Sequence, residues 1–119
     1  MPDPVHPIAA YLSTARCEAI NSTADPATIC AAVTGKRLQI IHLFISAAAA
    51  TNLTFKSGAT ALSGPYAILA AGTLELKNGG TPVIIGDNIG EAITVVNSTP
   101  TQLSGFAVVV EVDHTAKPK

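Results

Sequence analysis

The chain has 119 residues, of which 48% are hydrophobic and only 13% charged, with a formal net charge of -1 and no tryptophan. That length fits one domain, which buries roughly two thirds of its unfolded surface. So weak a charge gives no electrostatic footprint for nucleic acid or an anionic membrane, and the scarcity of titratable groups argues against an enzyme. The composition favours instead a chain whose apolar surface is buried in an assembly.

Neither a membrane span nor a signal peptide is expected from the sequence. Charged residues and glycines interrupt every apolar stretch before it reaches the roughly 18 residues that a span requires. The first residues include Pro2, Asp3 and Pro4, where a signal peptide would need a basic start and an apolar core. We therefore expect the protein to stay in the cytoplasm where it is made. No motif implies a cofactor.

The two ends of the chain are predicted to lie outside the folded domain, which covers residues 11–113. Three prolines among the first seven residues exclude a helix and predict an extended arm over residues 1–10. The arm is either a disordered tail or a segment that packs on another subunit. In the second case the contacts are made by Pro4, Val5, His6, Pro7, Ile8 and Tyr11. Residues 114–119 form a basic, proline-containing tail that is expected to be mobile.

The stretch from Gly35 to Gly58 organises the rest of the chain in this interpretation. In residues 38–46 both alternating sets of side chains are largely apolar, which is typical of a central strand covered on both faces. In residues 52–56, Leu53 and Phe55 alternate with polar residues, which predicts a half-exposed strand. Because the two strands follow each other across four alanines, we expect a hairpin. Gly35 supplies the preceding turn, with a positive φ or a bulge.

Further strands are predicted by alternating apolar residues with turn residues between them. They cover residues 13–20, 28–34, 66–71, 73–77, 83–85, 91–97 and 106–112. The segments 21–27, 57–65 and 86–90 are predicted to be loops, and no stretch shows a convincing helix pattern. The pattern therefore predicts an all-β domain, an antiparallel β-sandwich or small barrel of about eight short strands. Few charges or prolines protect its strand edges, so neighbouring chains are expected to cover them.

Few side chains are placed for catalysis or metal binding. His6, His42 and His114 are far apart in the sequence, and His42 is expected to be a hydrogen-bonded core or interface residue. Asp87 and Glu91 flank a loop, but G-D-N-I-G-E offers too few oxygen ligands for a calcium site, so a solvated loop is favoured.

Two further pairs of residues have structural interpretations. Cys17 and Cys30 are expected to be free, buried thiols, since a disulfide requires an oxidising compartment. Lys36 and Arg37 form either a solvated strand end or one side of a salt bridge across a subunit interface. The sequence leaves both alternatives open.

Three segments carry a resemblance to a known family. They are TICAAVTGKRLQIIHLFISAAAATNLTFKSGATALSGP (28–65), GEAITVVN (90–97) and SGFAVVVEV (104–112). Their order of a GKR turn, a long apolar strand, a TFKSG strand, a GP turn and a closing valine-rich strand resembles a group of small tailed-bacteriophage virion proteins. The resemblance implies a jelly-roll-like β-sandwich that decorates heads or builds tail-tip parts. Val110 stands where that pattern usually has tyrosine, so any role of the hydroxyl is absent.

These observations lead to three hypotheses. The first is a non-enzymatic capsid decoration (cement) protein of the virion, which sits as a homotrimer between major capsid proteins and stabilises the head. The second is a tail-tip, baseplate or fibre-associated module of the same virion that contacts the host surface. The third is an independent carbohydrate-binding or hydrolytic domain, which the presence of only five aromatic residues (three Phe, two Tyr) disfavours.

Overall fold

A computed structural model describes residues 15–113, and over that range the chain folds into β-strands with no helix. The ten strands are β1 (Arg16–Ser22), β2 (Ala27–Cys30), β3 (Lys36–Ala47), β4 (Thr51–Ser57), β5 (Thr60–Ala61), β6 (Tyr66–Ile68), β7 (Thr73–Lys77), β8 (Ile84–Ile85), β9 (Ile93–Asn97) and β10 (Leu103–Asp113). The all-β prediction is confirmed. The predicted arm (1–10) lies outside the described residues, as do the predicted tail (114–119) and the first residues of the predicted domain.

The strands form two antiparallel sheets that pack as a sandwich. Sheet A has the order β1-β10-β3-β7, and sheet B has the order β2-β9-β4-β5. Each sheet ends in two short strands that share one edge of a longer strand: β8 also pairs with β3, and β6 also pairs with β4. Strand β3 therefore lies centrally in sheet A, with β10 on one side and β7 and β8 on the other.

The core lies between the sheets and follows the period of two that the pleat imposes. The largest fully buried side chains include Leu38, Ile40, Leu43, Ile45, Leu53, Phe55, Ile93, Val95, Leu103 and Val109. The predicted alternation of β4 is confirmed, because Leu53 and Phe55 are fully buried while Asn52 is exposed. The half-buried Leu74 and Leu76 of β7 also pack against the core, as the sequence predicted.

The predicted hairpin between the strands now labelled β3 and β4 is wrong. The two are consecutive in sequence but belong to different sheets. Both edges of β3 are already paired with β10, β7 and β8. The short connection 48–50 therefore carries the chain across the sandwich rather than back along the same sheet. Sequence alternation shows that two strands are present, but it does not show which edges they share.

The prediction that residues 38–46 are covered on both faces is confirmed only for the first half of β3 and is wrong from His42 onward, where the outward side chains are partly exposed. Five consecutive residues, from Arg37 to Ile41, are buried. The pairing with β10 then shifts, because Val108 lies opposite His42 while Val109 lies opposite Ile40. Ile41 is thus the extra residue of a β-bulge. Beyond it, buried and partly exposed residues alternate.

Several strand positions differ from the sequence prediction; strand β10, for example, begins at Leu103 rather than residue 106. Strand β2 ends at Cys30 rather than residue 34, and Ala31 is exposed. Strand β9 begins at Ile93, two residues later than predicted. The short strand β5 lies inside the segment predicted to be a loop. The prediction for Gly35 is confirmed, since its φ is 77°.

Gly105 is required where β10 passes β3. Its φ is 148°, and a Cβ at this position would overlap the carbonyl oxygen of Phe44. We expect Gly105→Ala to lower the free energy of unfolding by roughly 3 kcal/mol, from backbone strain and steric overlap together. Urea unfolding measures the change.

Gly64→Ala is the matched control for this prediction. Gly64 has no strained φ, and a Cβ there would meet no atom within 4 Å. Its substitution is expected to change stability by no more than about 0.5 kcal/mol. Equal midpoints for the two variants would contradict the assignment of Gly105.

Candidate interaction surface

The face of sheet A that points away from the core carries a row of apolar and aromatic side chains. We call this surface the outer face of sheet A. At its open end, it consists of Cys17, Ala19, His42, Phe44, Glu75, Lys77, Phe106 and Val108. These residues share a side because Phe106 lies opposite both Ala19 and Phe44, while Glu75 lies opposite Phe44. The neighbouring Leu43, Ile45 and Ala107 point into the core. Antiparallel sheets commonly expose a polar face, so an apolar one is notable.

The aromatic rings on this face pack against one another. Phe44 and Phe106 are stacked with ring centroids 5.9 Å apart and planes 18° apart. The His42 ring meets Phe106 edge-on, at 5.3 Å and 70°. These geometries are the ones that aromatic pairs prefer. Both phenylalanines are partly exposed, whereas the third, Phe55, is fully buried in the core.

The other end of the outer face is closed to solvent. Val110 is 0% and Ile41 7% exposed, although neither belongs to the core cluster. Arg37 and Gln39 of β3 are 3% and 4% exposed. The expectation of a solvated strand end is therefore wrong for Arg37, whose side chain is buried at the closed end of this face. Among residues 15–113, the accessible part of this face is the end around Phe44 and Phe106.

His42 forms a polar contact at the rim of the open end. Its Nε2 lies 2.8 Å from Oε2 of Glu75 on the adjacent strand β7, so the predicted hydrogen bond is confirmed. His42 is partly exposed rather than in the core, and its place in an interface stays a prediction. This hydrogen bond lowers the pKa of Glu75, and the nearby Lys77 ammonium contributes in the same direction. The Lys77 Nζ lies 3.9 Å from the same carboxylate oxygen. The rim therefore carries charges of both signs side by side.

We expect His42→Ala to raise the pKa of Glu75 toward its ordinary value, because the largest cause of the depression is removed. Carbon-13 NMR titration of the Glu75 carboxyl measures this pKa.

The same contact makes stability depend on pH. Because the pKa of Glu75 is depressed in the folded chain, the contact stabilises the fold above the unfolded pKa of about 4.3, and this stabilisation is lost as pH falls through the folded pKa. Lys77→Met is the control and should raise the pKa of Glu75 less. A larger effect of Lys77 than of His42 would contradict the assignment.

Asp87 and Glu91 meet at a buried serine rather than in open solvent. The fully buried Ser57 hydroxyl donates to Glu91 Oε1 at 2.8 Å and accepts from the backbone N–H of Asp87 at 2.9 Å. Thr60 Oγ1 donates to Asp87 Oδ2 at 3.3 Å. These contacts fasten the 86–91 loop to the end of β4. The loop is exposed at residues 88–90, as expected for a solvated loop, but specific hydrogen bonds at Asp87 and Glu91 also hold it in place.

Ser57→Ala should lower the free energy of unfolding by about 1–2 kcal/mol, because two hydrogen bonds lose their shared partner in a buried place. Chemical denaturation checks the value. Thr60→Val removes a longer hydrogen bond at the exposed side of the same cluster and should cost no more than about 0.5 kcal/mol. Similar costs for both variants would show that Ser57 does not hold the loop.

The two cysteines have different environments. Cys30 is a buried free thiol, as predicted, but the prediction is wrong for Cys17, which is free and exposed on the outer face of sheet A. Burial raises the pKa of the Cys30 thiol, although the adjacent Arg16 guanidinium opposes this. Arg16 contacts Cys30 Sγ at 3.2 Å and also pairs with Glu18 and Glu111. These contacts therefore connect β1 and β10 to β2 at the side of the sandwich and have a structural role.

One end of the sandwich forms a nearly uncharged loop surface. The loops 23–26, 48–50, 69–72 and 98–102 contain Asp25 as their single charged residue. Hydrogen bonds join them, including Ala48 N to Gln102 O at 3.0 Å and Ala71 N to Ala47 O at 2.9 Å. Leu69 protrudes from this end with 81% of its surface exposed. A shallow groove of about 310 Å³ lies beside it.

The residues predicted to bind a partner, Pro4, Val5, His6, Pro7, Ile8 and Tyr11, lie outside the described residues, so this stays a prediction. His6 and His114 are outside them too. Within residues 15–113, no group of three or more His, Cys, Asp or Glu side chains could hold a metal ion. The same part of the chain contains no helix that could cross a bilayer.

The outer face of sheet A was not identified from the sequence. Its signal was present in the alternation of Phe106, Val108, Val110 and Val112 on one side of the last strand. The alternation alone does not indicate that this side of the strand points away from the core.

Comparison with known proteins found no family model, curated protein or solved structure that matches the chain. The resemblance to tailed-phage virion proteins therefore stays a prediction based on sequence motifs.

Proposed function

We propose that this protein is a structural component of a tailed-bacteriophage virion, a capsid decoration protein that stabilises the head by binding between major capsid proteins. The observation that carries the proposal is the outer face of sheet A, on which Phe44, Phe106 and Val108 are partly exposed in a row. An apolar face on a weakly charged chain is expected to be covered in an assembly. The sequence motifs described above favour a virion as that assembly.

The strand order supports the jelly-roll form of this proposal. If β5 and β6 are counted as one interrupted strand, and β7 and β8 as another, the chain has eight strand positions, four in each sheet. The chain then crosses to the other sheet at every step except from β4 to the β5–β6 position, and its first and last strands, β1 and β10, are neighbours. Interleaving of this kind is expected for a jelly roll of two Greek keys, a fold found in viral capsid proteins.

The proposed mechanism depends on contact area rather than on chemistry. A specific protein interface typically buries about 1,600 Å². When such an interface is repeated by symmetry around a head, it strengthens the shell against the pressure of packaged DNA. The proposal includes a homotrimer at each junction and an N-terminal arm, residues 1–10, that reaches a neighbouring subunit.

The decoration role predicts a high copy number in purified virions. Quantitative mass spectrometry against the major capsid protein should give a ratio near one, or one trimer per threefold junction. Purified protein should also rebind emptied heads that lack it. A ratio below roughly one in twenty would favour the tail-tip, baseplate or fibre alternative, and absence from virions would overturn both.

A further inference from the structure

We infer that the open end of the outer face of sheet A is a contact surface between copies of this chain. The inference rests on the self-association included in the proposed function, and it names the surface that performs it. The partner is a second copy rather than an unrelated protein.

The first support is that this surface is apolar where a sheet exposed to water would be polar. Phe44 and Phe106 lie directly opposite each other on the two central strands of sheet A. Val108 follows on the same side of β10, and the exposed Cys17 and Ala19 continue the surface onto β1. On the outward side of sheet A, β1 has no charged residue from Cys17 onward, and β10 has none up to Val110. Bringing such surfaces together removes apolar area from water, which stabilises a complex by about 25 cal/mol per Å² before the cost of association.

The second support is the charge at the rim. Glu75 and Lys77 lie on the same side of β7, with side chains 41% and 66% exposed. Because one residue is acidic and the other basic, a second copy brings both signs to the contact. Opposite charges can then pair between copies, whereas a rim of one sign would repel itself. The surface is therefore electrostatically compatible with itself.

The third support is that the surface is already ordered in the single chain. The two phenylalanine rings are stacked, His42 packs on Phe106, and His42 is held by Glu75. All four residues lie on paired strands rather than on loops. Side chains that are fixed before binding lose less conformational entropy on association.

The test is sedimentation equilibrium of the full-length chain over a wide concentration range. The wild type should associate reversibly, and its mass gives the number of copies. Phe44→Ser combined with Phe106→Ser should raise the dissociation constant about 30-fold or more, as expected for central aromatic contacts. Circular dichroism and urea unfolding must show that this variant stays folded, which is expected because both rings lie outside the core cluster.

Two sets of controls separate this surface from general stickiness. Leu69→Ser removes a more exposed apolar side chain from the 69–72 loop, outside the outer face of sheet A, and should leave association unchanged. Glu75→Lys makes the rim wholly basic and should weaken association, while Glu75→Lys combined with Lys77→Glu restores both signs and should recover it. Failure of the double exchange to recover association would overturn the electrostatic part of the argument.

The thiols of the wild-type chain provide a second measurement. Cys17 lies on the proposed surface and is exposed, whereas Cys30 is buried and serves as an internal control. Alkylation of Cys17 should slow as protein concentration rises, while Cys30 should react slowly throughout. If Cys17 is protected even in dilute, monomeric protein, a segment of the same chain covers this face and the inference is overturned.

The outcomes distinguish this inference from the proposed function. A chain that stays monomeric at all concentrations but rebinds emptied heads would overturn the copy-to-copy contact and leave the decoration role standing. A chain that associates through this face but neither occurs in virions nor binds heads would overturn the decoration role and leave the copy-to-copy contact standing. Association that is unaffected by the double phenylalanine variant would also overturn the inference.

Discussion

The structure depends on the pairing of β3 along both of its edges. This twelve-residue strand binds β10 on one side and the two short strands β7 and β8 on the other. Because no edge is left, β4 has to join the second sheet, where it takes the corresponding central position beside β9. The sandwich and its core follow from that crossing. The same strand also carries Phe44 on its other face, so the element that organises the core also builds the candidate interaction surface.

Within residues 15–113, several charged side chains are engaged in contacts inside the chain. Arg16 pairs with Glu18 and Glu111 at the side of the sandwich, and Glu91 binds the buried Ser57 at one end. Glu75 binds His42 at the rim of sheet A. The middle of the outer face and the loop end around Leu69 carry almost no charged residues. The low proportion of charged residues in the sequence therefore corresponds, in the folded chain, to two nearly uncharged surfaces.

The predictions that failed share one physical cause. Cys17, Arg37 and the supposed hairpin were each assigned from neighbours in sequence, whereas burial and pairing depend on neighbours in space. Cys17 is exposed because β1 lies at the edge of sheet A and turns that residue outward. Arg37 is buried, together with Gln39 and Val110 on the same side of sheet A, although its charge and its position after a glycine suggested a solvated turn. Local pattern decides that a residue is in a strand and which residues share its side, but it does not decide whether that side meets the core, solvent or another surface.

The sequence by itself determined the all-β class, the approximate strand positions, the turn at Gly35 and the inward side of β4 and β7. These features depend on interactions within a few residues: alternation with a period of two, and backbone preferences of glycine and proline. Only the tertiary structure decided that β3 and β4 lie in different sheets, that Ser57 gathers Asp87 and Glu91, and that Phe44 stacks on Phe106 away from the core. Each of these depends on a pairing or contact with residues that are dozens of positions away in the chain. Their proximity is created by sheet order and register, which the sequence pattern of any one strand does not contain.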